Sequence, residues 1–250
     1  MIKFFRKIRQ NLLMENKTAK YFKYAIGEII LVVFGILIAL SINNWNESRK
    51  NLAKKEILLN ALKTEFTANL KQLDTVLYYD TQVLNTTRRI MKLDPENSVE
   101  MTNDSMPNWL NNSSFRWTFN PLNGALRSGI SSGEIHLIKS DTLSNLLFGW
   151  QDYVTDAKEG EVRTIRSVIA SKAIIEKHIR SIDYKTSYMP PELVKSRFIS
   201  NYESLFRDPL FEDYLSERYL SIYETVVELN LVKKKNSLIL KLINKELNKG

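Results

Sequence analysis

The chain has 250 residues, 44% of them apolar, a net charge of +8 and no cysteine, which excludes disulfides, thiol catalysis and cysteine-held metal. The charge is not a nucleic-acid footprint: residues 1–43 carry seven Lys/Arg against Glu15 and Glu28, so +5 lies there and only +3 in the remainder. Eight glycines and six prolines are few for this length and favour long helices over many short strands.

Residues 1–17, MIKFFRKIRQNLLMENK, interleave basic and bulky apolar residues. They read as a short amphipathic helix in a membrane interface or as a plain basic flank that sets orientation. Residues 24–42, YAIGEIILVVFGILIALSI, contain one charge, Glu28, and no proline. At ~1.5 Å per residue they make a helix of roughly 28 Å, enough for the ~30 Å hydrocarbon core of a bilayer. A single transmembrane helix is expected there. The basic tail before it places the N-terminus in the cytoplasm by the positive-inside rule, although Arg49, Lys50, Lys54 and Lys55 weaken the asymmetry. A cleaved signal peptide is the alternative: Ala39 and Ser41 suit a cleavage site, whereas the long leader and Glu28 argue against it.

Asn43-Asn44-Trp45-Asn46-Glu47 is an abrupt polar boundary, with Trp45 a candidate interfacial anchor. Leu52, Leu59, Leu62, Phe66, Leu70, Leu73, Leu77 and Leu84 then form the apolar seam of a long helix to about Leu93, stopped by Asp94-Pro95. Residues 94–119 read as a polar connection whose Trp109, Phe115, Trp117 and Phe119 cover one bundle end. Leu122 to Arg127 reads as a short helix, followed by flexible positions at Ser128-Gly129 and Ser132-Gly133. Ser140 or Asp141 caps a helix running to about Ile182, with Gly160 a point of bending or breakage. Pro190-Pro191 opens a shorter helix to about Phe206, and Asp208-Pro209 starts a final one to about Asn248. The expected fold is all-α: one N-terminal transmembrane helix continuing into an elongated antiparallel bundle. Three segments follow: a basic cytoplasmic tail, 1–23; the membrane helix, 24–42; and an extracytoplasmic bundle, 43–250.

The block from Tyr24 to Glu47, with Gly27-Glu28, Gly35 and Asn43-Asn44-Trp45-Asn46-Glu47, resembles the N-terminal signature of a domain-of-unknown-function family of bacterial single-span inner-membrane proteins. Met1-Ile-Lys-Phe-Phe-Arg resembles the family's start, and Ser128-Gly129 before an apolar stretch resembles a later feature. The resemblance implies a single-span inner-membrane protein with an uncharacterised helical region, and neither an activity nor catalytic residues.

Glu28 is a costly residue in a membrane helix and so a functional candidate, or else a carboxylate that snorkels or pairs near the boundary. At 100° per residue Glu28, Gly35 and Ala39 fall within about 20° of one line. Gly35-x-x-x-Ala39 has the spacing that lets membrane helices approach closely, so this line is expected to be a packing face for a second copy or a membrane-protein partner. His136 and His178 are the only histidines and read as ordinary bundle residues. Metal spacings, G-x-S-x-G, P-loop and G-x-G-x-x-G are all missing from the sequence. Neither a cofactor nor enzymatic activity is expected. Trp117, Arg127, Ser128 and Gly129 read as a packed corner or as a small pocket at a bundle end. The leading expectation is a scaffold or interaction protein with the bilayer and a membrane protein as partners and no nucleic acid; the alternative is an extracytoplasmic ligand-binding or sensing module. A sensing role would require a separate membrane partner.

Overall fold

The computed structural model describes residues 18–96, 105–185, 190, 192 and 196–248. The interfacial helix expected within residues 1–17, and Pro191 with residues 193–195, lie outside the described residues. Every regular element among them is helical: α1 Thr18–Ile90, α2 Met106–Ser113, α3 Gly124–Ser131, a 3₁₀ turn Glu134–Leu137, α4 Asp141–Phe148, α5 Trp150–His178, α6 Ser181–Tyr184, α7 Tyr202–Phe206 and α8 Pro209–Leu247.

The chain divides into two compact units, residues 1–55 and 56–250. In the first, α1 passes without interruption through the apolar stretch, and its large side chains from Ile29 to Ile42 are exposed. Among the described residues one helix is long and apolar enough to cross a membrane, and this is it. The expected continuation into the next helix is found, because no helix breaker occurs before Pro95.

In the second unit the direction of each element follows from its contacts. Asn236 of α8 donates to the Phe66 carbonyl of α1 at 2.9 Å, and Lys233 meets Asp74 at 2.7 Å, so α8 runs antiparallel to α1. Arg163–Glu228 at 3.1 Å and Lys177–Asp208 at 2.9 Å make α8 antiparallel to α5 as well. The segment between α1 and α5 retraces α1 in reverse: Trp117 stacks on Tyr79, Leu122 meets Asn69, Ala125 meets Glu65 and Gly129 meets Leu58. The bundle is therefore up–down–up–down, with its second rung broken into α2, an extended stretch and α3.

Four sequence expectations need correction. The helix expected from Ser140 to Ile182 is interrupted at Gly149 and not at Gly160. Ser140 caps it as expected, accepting from the Leu143 N–H. Gly160 stays helical because a Cβ there would collide with the Glu228 carboxylate and reach Thr225 Oγ1 at 3.1 Å, so glycine permits close approach of α5 and α8. The polar connection contains α2, with Pro107 in its first turn, where a missing N–H costs nothing. Among the described residues of the region assigned to the helix after Pro191, the α-helix is Tyr202–Phe206, and Ser196 to Asn201 are not helical. Asp208 does cap the final helix, accepting from the Leu210 N–H at 3.1 Å.

The bundle holds two apolar cores. The first gathers Leu59, Leu62, Phe66, Leu73, Phe119, Trp150, Leu229 and Ile239; the second gathers Ile90, Met106, Leu110, Ile175, Ile179, Leu205 and Phe211. Phe119 therefore packs inside the first core and does not cover a bundle end. Between the cores the inward faces turn polar, with Asp80 on α1, Glu161, Thr164 and Ser167 on α5, and Arg218, Ser221 and Thr225 on α8 all buried. Leu84, expected in the seam, is half-buried, and Leu52 is exposed.

Candidate functional site

The polar layer exists because an extended piece of chain runs through the bundle. Residues 115–123 have no helical ladder of their own, and buried N–H and C=O groups without partners would cost ~1–3 kcal/mol each. Side chains from the long helices supply the partners. Asn69 accepts from the Leu122 N–H at 2.8 Å and donates to its carbonyl at 2.9 Å, as a neighbouring strand would. Glu65 accepts from the Ala125 and Leu126 N–H groups at 2.7 and 3.1 Å, placing a carboxylate on the N-terminus of α3. Glu161 accepts from the Phe119 N–H at 2.6 Å.

Arg218 completes the clamp. Fully buried, it donates to the Ser113 carbonyl at 2.9 Å, the Thr164 carbonyl at 3.3 Å, Ser167 Oγ at 3.4 Å and the Phe115 carbonyl. Asp80 is the nearby counter-charge. It is fully buried, the Trp117 N–H is turned toward it, and no donor closes a full hydrogen bond on either oxygen. Burial pushes its carboxyl from the ordinary 3.8 up to about 7, against the opposing pull of Trp117 N–H and Arg218. Burial also raises Glu161, opposed by the Phe119 N–H.

Two clefts flank Phe115. One, of 540 Å³, is lined by Ser114, Phe115, Arg116, Val168, Ile169, Ser171 and Lys172 among others. The other, of 360 Å³, has aromatic walls at Tyr78, Tyr79 and Trp117, the last two stacked at 4.2 Å, with Gln82 and Asn112 beside them.

A third cluster lies where α5, α7 and α8 meet. His178 Nδ1 is 2.8 Å from Ser204 Oγ, and its Nε2 is 2.8 Å from Asp208 Oδ2, at the edge of an open cleft lined also by Asn201, Glu203 and Arg207. The order Ser–His–Asp matches a hydrolytic triad, with the roles of the ring nitrogens exchanged. Its other bonds are those of a clasp. Asp208 caps α8 and also holds Lys177, and hydrogen bonds from His178 and Lys177 keep its carboxyl far below the usual carboxylate range. The Ser204 N–H is committed to Asn201 Oδ1 at 2.9 Å, so the seryl amide is not available to an oxyanion. Sequence reading had taken His178 for an ordinary bundle residue and had not paired it with Ser204.

The residues singled out from sequence separate into distinct places. Glu28 is half-exposed on α1, and Gly35 and Ala39 are exposed, with nothing within 4 Å of a Cβ built at Gly35. Trp45 is exposed, with the Arg49 guanidinium 5.4 Å from its ring. Trp117 stacks on Tyr79, whereas Gly129 packs on Leu58, 21 residues earlier on the same helix and so roughly 30 Å away. Arg127 and Ser128 are exposed beside Gly129. These four residues do not share a pocket. The clefts found instead are lined by α1, α2 and α5. Among the described residues no group of three His, Asp or Glu is set to hold a metal.

Residues 28–150 match the model of a family described only as a family of unknown function, DUF6090. The match begins inside the N-terminal signature and runs to Trp150, so it takes in Glu65, Asn69, Asp80 and Phe119 and leaves Glu161 and Arg218 outside. No curated protein and no solved structure matches the chain.

Proposed function

We propose that this chain is a non-enzymatic, membrane-anchored helical interaction protein. In this reading α1 crosses the bacterial inner membrane over residues 24–42, its N-terminus is cytoplasmic, and the bundle is periplasmic. The observation that carries it is the full exposure of the apolar side chains from Ile29 to Ile42, a length of helix that water would not tolerate as a free surface. The basic flank before it and the polar boundary at Asn43 to Glu47 support the direction. An interaction role for the bundle is supported by Leu220, Tyr223, Val227 and Leu231, which leave an apolar strip exposed along α8.

The line through Glu28, Gly35 and Ala39 is the proposed helix-packing face. Because the chain has no cysteine, Ala39→Cys provides a single cross-linking position in native membranes. We expect a cross-linked pair, to a second copy or to a membrane protein, that falls several-fold when Gly35→Leu blocks close approach. Glu28→Gln should weaken it by a smaller factor. Unchanged cross-linking in both variants would overturn the packing face. Protection of a Thr155→Cys variant from an impermeant maleimide added outside spheroplasts would overturn the periplasmic placement.

The Ser204–His178–Asp208 cluster gives the non-enzymatic reading its own test. An alkyl fluorophosphonate should leave the intact chain unmodified, since the seryl amide is committed to Asn201. Covalent labelling that vanishes in Ser204→Ala would instead establish an activated serine. A second reading, a ligand-binding or sensing module acting through a separate membrane protein, is favoured by the 540 Å³ cleft with its converging polar groups.

A further inference from the structure

The geometry points to a binding site for a small amphiphilic carboxylate in the cleft between α2 and α5. Three features of the cleft define its ligand. The first is charge. Arg116 and Lys172 stand on different elements at the same cleft, and among the described residues neither has a carboxylate within ion-pair distance. Lys185, also at the rim, is already held by Glu176 at 3.1 Å and lies over the Tyr184 ring. Lys172 also acts on Glu176 one turn along the same helix, so Arg116 is the cation chiefly left for an anion, and a guanidinium matches the two oxygens of a carboxylate in a fork.

The second feature is a buried hydroxyl. Tyr214 is 4% exposed, its Oη has no full hydrogen bond, and it lies beside the Ser114 and Ser171 hydroxyls that line the cleft. Both serines spend their protons on their own helices, on Leu110 and Val168 carbonyls at 2.9 and 2.7 Å. Their Oγ lone pairs are therefore left to face the Tyr214 O–H behind the cleft, and the two serine hydroxyls form a polar floor adjoining the cationic end, where Arg116 already acts on Arg218.

The third feature is the wall. Phe115, Val168 and Ile169 supply apolar surface, and Ile169 is 67% exposed, unusually open for an isoleucine beside a cavity. Phe115 is fixed, because Arg218 holds its carbonyl. The volume of 540 Å³ falls within the ~300–1,000 Å³ usual for small-ligand sites. The ligand is then a monoanionic head directed toward Arg116 and Lys172, with an apolar body lying along Val168 and Ile169. All these residues belong to the second unit, so the site stands whether or not α1 crosses a bilayer.

The test uses the full chain in lipid nanodiscs, with naphthoate as probe, followed by its fluorescence and corrected with empty discs. Saturable binding is expected with Kd of about 10–500 µM, and the neutral isostere naphthol should bind at least ~10-fold more weakly. Arg116→Gln should raise Kd by ~10-fold or more, and Lys172→Gln by a few-fold. Both side chains are at the cleft surface, so the variants are expected to keep the bundle's melting temperature. The site is overturned if binding does not saturate below about 5 mM, if naphthol binds as well as naphthoate, or if the Arg116→Gln/Lys172→Gln double variant binds like the parent.

Discussion

Replacing Arg218 with methionine is expected to destabilise the bundle by about 2–5 kcal/mol, because it leaves two buried carbonyls without a donor at ~1–3 kcal/mol each. Methionine keeps much of the side-chain volume, so the loss isolates the guanidinium. Without it the Ser113 and Phe115 carbonyls lose their donor inside the protein, and Thr164 and Ser167 lose a shared one. Asp80 loses the nearest positive charge that opposes its burial. The cost should therefore grow as pH rises through neutrality, when the orphaned carboxyl would otherwise ionise. Denaturant unfolding of the intact chain in detergent, followed by tryptophan fluorescence, reads both effects, since Trp117 lies at the layer beside Asp80 and Trp150 is buried in the first core. Arg218→Lys should recover only part of the loss, because an ammonium cannot span carbonyls on α2 and α5 together in the geometry of the guanidinium fork. A loss below ~1 kcal/mol in Arg218→Met would mean that water or a rearranged backbone satisfies these carbonyls.

The same arginine shows what the sequence held and what was missed in it. Leu215, Ile222 and Leu229 mark the inward face of α8 by their seven-residue spacing, and Arg218 falls on that face between them. An arginine at an apolar register position was the available signal for the buried layer. On α5 the rule that apolar residues face inward holds at Trp150, Val154 and Ile175 and fails in the middle of the helix. Ile169 is exposed and Ile165 half-buried, while Glu161, Thr164, Ser167 and Ser171 are buried. The hydroxyls can turn inward because Ser167 and Ser171 donate to the Thr164 and Val168 carbonyls of their own helix, and Thr164 reaches the Ser221 carbonyl of α8. Apolar periodicity thus locates α1, α5 and α8, whose length makes the pattern unmistakable, and does not mark the inward face in the middle of α5.

The broken second rung was illegible for a different reason. Residues 115–123 have no period, and their hydrogen bonds go to Asn69, Glu161 and Arg218, between 42 and 103 positions away in sequence. No local pattern encodes such partners. Glycine gave mixed signals for the same reason. Gly160 reads as the point of bending or breakage and Gly149 does not, yet the break is at Gly149, and packing against α8 accounts for a glycine at 160 within a continuous helix. The apolar stretch of α1 needed no partner to be read, since its length and lack of charge depend on the segment alone.

Asp80→Asn is expected to raise stability at pH 8 by about 2–4 kcal/mol while leaving it almost unchanged near pH 4. The sign follows from where the proton sits. Asp80 titrates near 3.8 in the unfolded chain and at about 7 in the folded one, so between these values the native state holds a proton that the unfolded state has released. Stability from this group is fully present below the unfolded value and is lost as pH rises through the folded one. That is the reverse of a salt-bridged aspartate. The difference of about three units corresponds to roughly 4 kcal/mol, an upper limit because Arg218 and the Trp117 N–H can improve their contacts once the carboxyl ionises. Asparagine remains neutral throughout and keeps the shape, so its stability curve should lose this slope between pH 4 and 7. Glu161 is raised in the same direction and remains in the variant, so a smaller decline with pH should persist. The decisive quantity is the difference between parent and variant unfolding free energies measured from pH 4 to pH 8. Parallel curves would show that Asp80 is ionised and well partnered in the folded bundle; a difference opening in favour of asparagine above pH 5 would place an uncompensated carboxyl at the centre of the polar layer.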